Sequence, residues 1–121
     1  MPQYLLLIYD NEAAWTDIPA PEQERLFGAY MALAHDLRDK GQLRGGEALE
    51  RASTATCLRK QGGKIVHTDG PYAETKEQLG GFFLVEAKDL DEALAIAARI
   101  PSVDVKGTIE VRPIMPTPKS M

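Results

Sequence analysis

Two short segments, residues 5–8 and 82–85, are apolar at every position. A strand with one solvated face alternates between apolar and polar residues, whereas an unbroken apolar run is typical of a strand covered on both faces. The sequence therefore predicts two central strands, and whatever fold forms must cover both sides of them.

Two segments have the apolar spacing of amphipathic helices. The first begins near Pro21, which suits the first helical turn, and ends before Gly41. Its apolar stripe is formed by Leu26, Tyr30, Leu33 and Leu37. The second begins at a capping-box pair, Asp89 and Glu92, and is predicted to end at Pro101.

The sequence patterns that predict the remaining strands are weaker. Residues 42–49 predict a strand in which the Gly45–Gly46 pair indicates a bulge or a close backbone approach. Residues 54–60 and 64–68 predict a hairpin across residues 61–63, and residues 108–114 predict the last strand. Residues 10–19 are interpreted as a connecting loop.

This order predicts an α+β ferredoxin-like sandwich over residues 1–114, with both helices on one face of a mainly antiparallel sheet and an inserted hairpin. Residues 115–121, rich in proline, are interpreted as a tail. Two helices cover one sheet face, so the other face needs a partner. A homodimer packed through its sheets is the simplest solution.

Composition excludes several classes of protein. The chain has 121 residues and a formal net charge of −4, which argues against binding to nucleic acid. Cys57 is the single cysteine, and no apolar run is long enough for a signal peptide or a membrane span. We therefore expect a cytoplasmic protein that does not bind a membrane. No zinc-ligand spacing, phosphate loop or dinucleotide fingerprint occurs, so we expect no bound metal or cofactor.

One loop combines a Gly-Pro bend, charged side chains and an aromatic ring: residues 68–81. Together with residues 90–93 and 110–113, it resembles the DGPF branch of the YCII-related proteins, with Tyr72 where the motif name has Phe. The resemblance implies a bacterial ferredoxin-like domain that dimerises as an α/β barrel with an interface cleft. The resemblance also implies a link to regulation, because many members of that branch look like neighbours of extracytoplasmic-function sigma factors in bacterial genomes. The His-Asp pair of the wider branch aligns near Tyr30 and Ile100, so that chemistry does not carry over.

The candidate catalytic pair is His67 and Asp69. They lie two residues apart at the end of a predicted strand, so their side chains point to the same side, and either could act as a base. The alternative is a surface histidine beside an Asx-turn aspartate. The candidate ligand-binding residues are Gly70, Pro71, Tyr72, Glu74 and Tyr30. For Glu74 the alternative is a solvated turn, and for Tyr30 it is a place in the core.

Two functions follow from these observations. The first is a dimeric domain that binds a small molecule in an interface cleft and transfers a proton there. The second is a non-catalytic regulatory or interaction protein linked to a sigma factor, which would need an exposed apolar patch beyond the dimer face.

Overall fold

The structure, a computed structural model, describes residues 1–116. Residues 117–121 of the predicted tail lie outside this range. The strands are β1 Gln3–Asp10, β2 Leu43–Ala48, β3 Thr56–Gln61, β4 Lys64–Asp69, β5 Gln78–Glu86 and β6 Thr108–Pro113. The helices are α1 Glu12–Trp15, α2 Ala20–Asp39 and α3 Leu90–Ala97, with 3₁₀ helices at Ala52–Thr54 and Pro101–Val105.

A four-stranded antiparallel sheet has the order β2-β5-β1-β6. Buried residues of β1 alternate with half-buried ones, so Tyr4, Leu6 and Ile8 share one face. That face packs with residues of both long helices, including Leu37 of α2 and Ile96 of α3. The α+β class, the mainly antiparallel sheet and the placement of two helices on one face are therefore confirmed, and the strand order fits a ferredoxin-like fold.

The opposite sheet face carries a second apolar set. Leu5 of β1 lies opposite Leu84 of β5, and Leu7 lies opposite Phe82. These four side chains are half-buried in the single chain. The sheet therefore presents an apolar centre on the side away from α2 and α3.

The predicted hairpin is present and forms a separate two-stranded sheet of β3 and β4. All six residues of β4 are exposed, as are Leu58 and Arg59 of β3. The hairpin thus buries little of its surface in the single chain.

The structure differs from one local prediction and confirms another. Residues 10–19 are not a loop throughout, because α1 forms there with Asn11 as its cap, whose Oδ1 accepts a bond from the Ala14 N–H at 3.1 Å. The predicted irregularity of β2 is confirmed by a register shift between Leu43 and Gly45. A Cβ at Gly46 would lie 2.8 Å from the Phe83 ring, which explains the need for glycine there.

Candidate functional site

A cavity lies between α2 and the edge of the sheet formed by β2 and β5. Its volume is about 830 Å³, which is within the usual range for small-molecule sites. Its wall includes Ile8, Leu43 and Phe83 from the sheet and Ala34 from α2. The wall is mostly apolar, as expected for a cavity next to the core.

Two polar residues of this wall, Asp10 and Tyr30, are joined through a third, Ser102. The Ser102 hydroxyl donates a hydrogen bond to Asp10 Oδ2 at 3.1 Å. The Tyr30 hydroxyl is hydrogen-bonded to Ser102 Oγ. Since the Ser102 proton is used on Asp10, Tyr30 is the donor in the second bond when Asp10 is ionised. Ser102 is 1% exposed, so the three groups form a shielded hydrogen-bond chain.

Burial changes the acidity of both ends of this chain. Burial raises the pKa of Asp10 above its usual value of 3.8, with the nearby charge of Glu77 adding to the rise and the bond from Ser102 opposing it. Burial also raises the pKa of Tyr30, so its phenol stays neutral at physiological pH. Asp10 therefore holds its proton more strongly than a solvated aspartate does.

Three separate elements bring these residues together. Asp10 is the last residue of β1, just after a register shift against β5 between Ile8 and Tyr9. Tyr30 lies on the stripe of α2, and Ser102 is in the 3₁₀ helix that begins at Pro101. Their sequence separations explain why no motif connects them.

Exposed apolar side chains flank the cavity on the α2 side. Phe27 is 65% exposed and Met31 is 58% exposed, and both line the cavity together with Trp15 of α1. Residues 27 and 31 are one helical turn apart, so their side chains share a face. An apolar ligand in the cavity would contact this pair.

The other side of the cavity is held by hydrogen bonds between distant segments. Glu12 Oε2 accepts a bond from the Ala52 N–H at 2.8 Å, and Gln78 Oε1 accepts one from the Glu12 N–H at 3.0 Å. Arg51 donates to the Glu12 carbonyl at 3.3 Å. These bonds fix α1 against β5 and the start of the inserted segment.

A second cavity, of about 490 Å³, lies beside the first. Asp10 lines both cavities. The second is also lined by Glu77, whose Oε1 is shielded from solvent and has no hydrogen-bond partner among the described residues. Asp10 therefore forms part of the wall between the two spaces.

The structure places the sequence-predicted residues in two groups. Tyr30 lines the large cavity. The others belong to β4 and the bend after it, and none of them lines either of these two cavities: His67, Asp69, Gly70, Pro71, Tyr72 and Glu74. His67 and Asp69 are both exposed, on the same face of the hairpin as Leu58 and Ile65.

The bend itself is well defined. Gly70 has φ +102°, a backbone conformation that favours glycine, and its N–H donates to the Ala55 carbonyl at 2.7 Å. The Cys57 thiol contacts the Gly70 carbonyl at 3.3 Å. Tyr72 is 80% exposed and lies under the Arg59 guanidinium, 5.2 Å from the ring centroid. The cluster of Cys57, Arg59 and Tyr72 lies on the opposite hairpin face from His67.

Asp10 and Ser102 are the residues that sequence reasoning missed. Neither carries a local signal of chemistry, because a strand-end aspartate and a serine after proline are common in loops. The site also requires a glycine at Gly107, since a side chain there would clash with both, but that requirement is visible only in the structure. Within residues 1–116, no group of three or more His, Cys, Asp or Glu side chains is arranged to hold a metal ion.

No helix within the described residues is long and apolar enough to cross a membrane.

The fold and the cavity define an α+β domain whose strand order fits a ferredoxin-like fold, with a ligand-sized space between its first long helix and its sheet. A family model for the YCII-related domain matches residues 2–118. The chain belongs to the YCII-related family. An uncharacterised protein of Rhizobium meliloti (strain 1021) is 35% identical over 112 residues, which cover 92% of this chain and 90% of that protein.

Proposed function

We propose that this chain is a dimeric domain that binds a small organic molecule in the cavity beside α2 and exchanges a proton with it. The observation that carries the proposal is the buried hydrogen-bond chain from Tyr30 through Ser102 to Asp10. Perturbed acids in a concave, largely apolar site are characteristic of functional sites.

The chain of hydroxyls can pass a proton in either direction. With Asp10 ionised, Ser102 donates to Asp10 and Tyr30 donates to Ser102. With Asp10 protonated, the carboxyl donates to Ser102, Ser102 donates to Tyr30, and the Tyr30 O–H points its proton into the cavity. One proton leaves Asp10 and one is delivered by Tyr30, so the hydroxyl groups are unchanged at the end. This is general acid catalysis by a relayed carboxyl group.

The cavity walls restrict the ligand. Phe27, Met31 and Trp15 suit an apolar body, and Tyr30 offers a hydroxyl to one polar atom. A ligand with a hydrocarbon or aromatic frame and a carbonyl or hydroxyl group matches this arrangement. Its reacting atom would lie next to the Tyr30 oxygen.

The dimer in this proposal packs sheet against sheet, as in an α/β barrel. The half-buried set of Leu5, Leu7, Phe82 and Leu84 supports it, because a second copy would complete the burial of four apolar side chains.

The bend after β4 enters the proposal as a contribution of the second subunit. A two-stranded hairpin is marginally stable alone, and Leu58 and Ile65 are 61% and 59% exposed on the face that also carries His67 and Asp69. Packing this face on a partner would bring His67 or Asp69 to the ligand as a base. Gly70, Pro71, Tyr72 and Glu74 would then shape the same cleft.

A thermal-shift screen of metabolites tests the proposal. Compounds that bind the cavity should raise the Tm of the wild type and of Tyr9→Phe, but much less that of Tyr30→Phe. Tyr9 is a matched control because its hydroxyl contacts Glu110 and it lines neither cavity. Equal shifts for all three proteins, or no compound that binds, would contradict the proposal.

A second candidate function is a regulatory interaction protein, such as a partner of a sigma factor. The observation in its favour is the exposed pair Phe27 and Met31 on α2, which is separate from the half-buried outer sheet face proposed for the dimer. Pull-down from the native host should then recover a sigma factor with the wild type and lose it with Phe27→Ser. Recovery of the dimer alone would contradict this function.

A further inference from the structure

Glu77 is a charged residue for which the proposed relay gives no role. It comes directly before β5, and its Oε1 is shielded from solvent without a hydrogen-bond partner in the described part of the chain. An unsatisfied buried oxygen is costly, and native proteins retain such groups rarely. Its position therefore calls for a function.

The second cavity connects Glu77 to the relay. Glu77 and Asp10 line this cavity together, and Asp10 also lines the large cavity in which we place the ligand. A charge in a partly dry space acts on its neighbours more strongly than it does in bulk water. Glu77 is thus placed to act on Asp10 from the second cavity.

We infer that Glu77 is a positioning residue whose negative charge, on the wall of the cavity that it shares with Asp10, favours the protonated form of Asp10, so that the relay can meet its ligand as an acid. The inference rests on the proposed relay of Tyr30, Ser102 and Asp10. No bond forms or breaks at Glu77, because it acts through its charge alone.

Several charged groups surround Asp10, and they do not act alike. Lys76, Glu77, Asp104 and Lys106 line the second cavity together with Asp10. The first cavity is lined by the neutral Tyr30 and by the titratable or charged residues Glu12, His35, Arg38, Glu47 and Arg51. Of these charged groups, Glu77 is the one whose charge raises the pKa of Asp10, as an addition to the larger effect of burial. Removing the charge of Glu77 should therefore make Asp10 a stronger acid.

The test is a carbon-13 NMR titration of the Asp10 carboxyl group in the ligand-free protein. In Glu77→Gln the midpoint should move to lower pH, and Glu77→Asp, which keeps the charge, should return it toward the wild-type value. Asp104→Asn is the control, because it removes a carboxylate from the same cavity. An unchanged midpoint in Glu77→Gln, or an equal shift in Asp104→Asn, would overturn the inference.

The same experiment separates this inference from the proposed function. The titration needs no ligand, so a shifted midpoint supports the role of Glu77 even where thermal-shift screening finds no compound. A compound whose thermal shift depends on Tyr30 would still support the proposed function. If the Asp10 midpoint were then unchanged in Glu77→Gln, the inference about Glu77 alone would be wrong.

Discussion

Gly107 and Ser102 are so close that no side chain fits between them. A Cβ on Gly107 would lie 2.7 Å from the Ser102 Cβ and nearer still to Asp10 Oδ1. The Gly107 N–H also donates to the Ser102 carbonyl at 2.7 Å. The backbone of Gly107 thus closes one side of the hydrogen bond between Ser102 and Asp10.

Gly107→Ala should therefore destabilise the protein and disturb the relay. The added methyl group must displace Asp10 or Ser102, and overpacking of this kind costs about 1–3 kcal/mol. Urea unfolding measures the loss. Gly28→Ala is the control, because nothing lies within 4 Å of its Cβ position, and in α2 this change should stabilise by up to ~1 kcal/mol. A Gly107→Ala protein as stable as the wild type would show that the site can relax.

Ser102→Ala should cost about 1–3 kcal/mol, because it removes the shared hydroxyl and leaves the Tyr30 hydroxyl and Asp10 Oδ2 without their partner. Denaturant titration measures the cost. Ser53→Ala, at an exposed position, should change stability by less than about 0.5 kcal/mol. Equal small effects at both sites would mean that the chain from Tyr30 to Asp10 adds nothing to the fold.

Asp10→Asn should change how stability depends on pH. Because the folded pKa of Asp10 is raised above 3.8, the unfolded chain loses this proton first as pH rises, and the wild type loses stability through that window. Asparagine keeps an acceptor for Ser102 and does not titrate. The free energy of unfolding of the variant, relative to the wild type, should therefore be higher at pH 7 than at pH 3.

Unfolding measurements at pH 3, 5 and 7 would check this, with Asp17→Asn at an exposed position as the control. A difference between Asp10→Asn and the wild type that is the same at every pH would contradict a raised pKa.

The sequence predicted the elements better than the site. Strand and helix spacing is local, so the apolar runs at 5–8 and 82–85 and the stripe ending at Leu37 indicated the sheet and α2 directly. Asp10, Tyr30 and Ser102 meet because β1, α2 and a 3₁₀ helix pack together, and no spacing in the chain encodes that meeting. Tyr30 was predicted as a ligand residue, but its two partners depend on tertiary structure.

The bend after β4 is the opposite case. Its composition is conspicuous locally, whereas in the described chain it lines neither of the two cavities. The prediction that His67 and Asp69 share one side is confirmed, because the pairing of β3 and β4 places both on the face of Leu58. Their chemical role stays a prediction.

Asp69→Ala should lower the thermal shift produced by a cavity ligand if the bend reaches the ligand from a second subunit. Asp69 is exposed in the single chain, so the substitution should leave the Tm of the free protein nearly unchanged. Asp17→Ala, also exposed, is the control for loss of a carboxylate. A ligand that stabilises the wild type and both variants equally would show that Asp69 does not contribute to the site.

Leu84→Lys should separate the proposed dimer, because Leu84 and its neighbour Leu5 lie at the apolar centre of the outer sheet face. A buried leucine contributes ~2 kcal/mol, and a symmetric interface loses two of them, so dissociation should become at least about 100-fold easier. Sedimentation at micromolar concentration measures the change. Leu90→Lys is the matched control, because Leu90 is 47% exposed at the start of α3. A wild type that sediments as a monomer, or a Leu84→Lys protein that stays dimeric, would show that the outer sheet face is not a dimer interface.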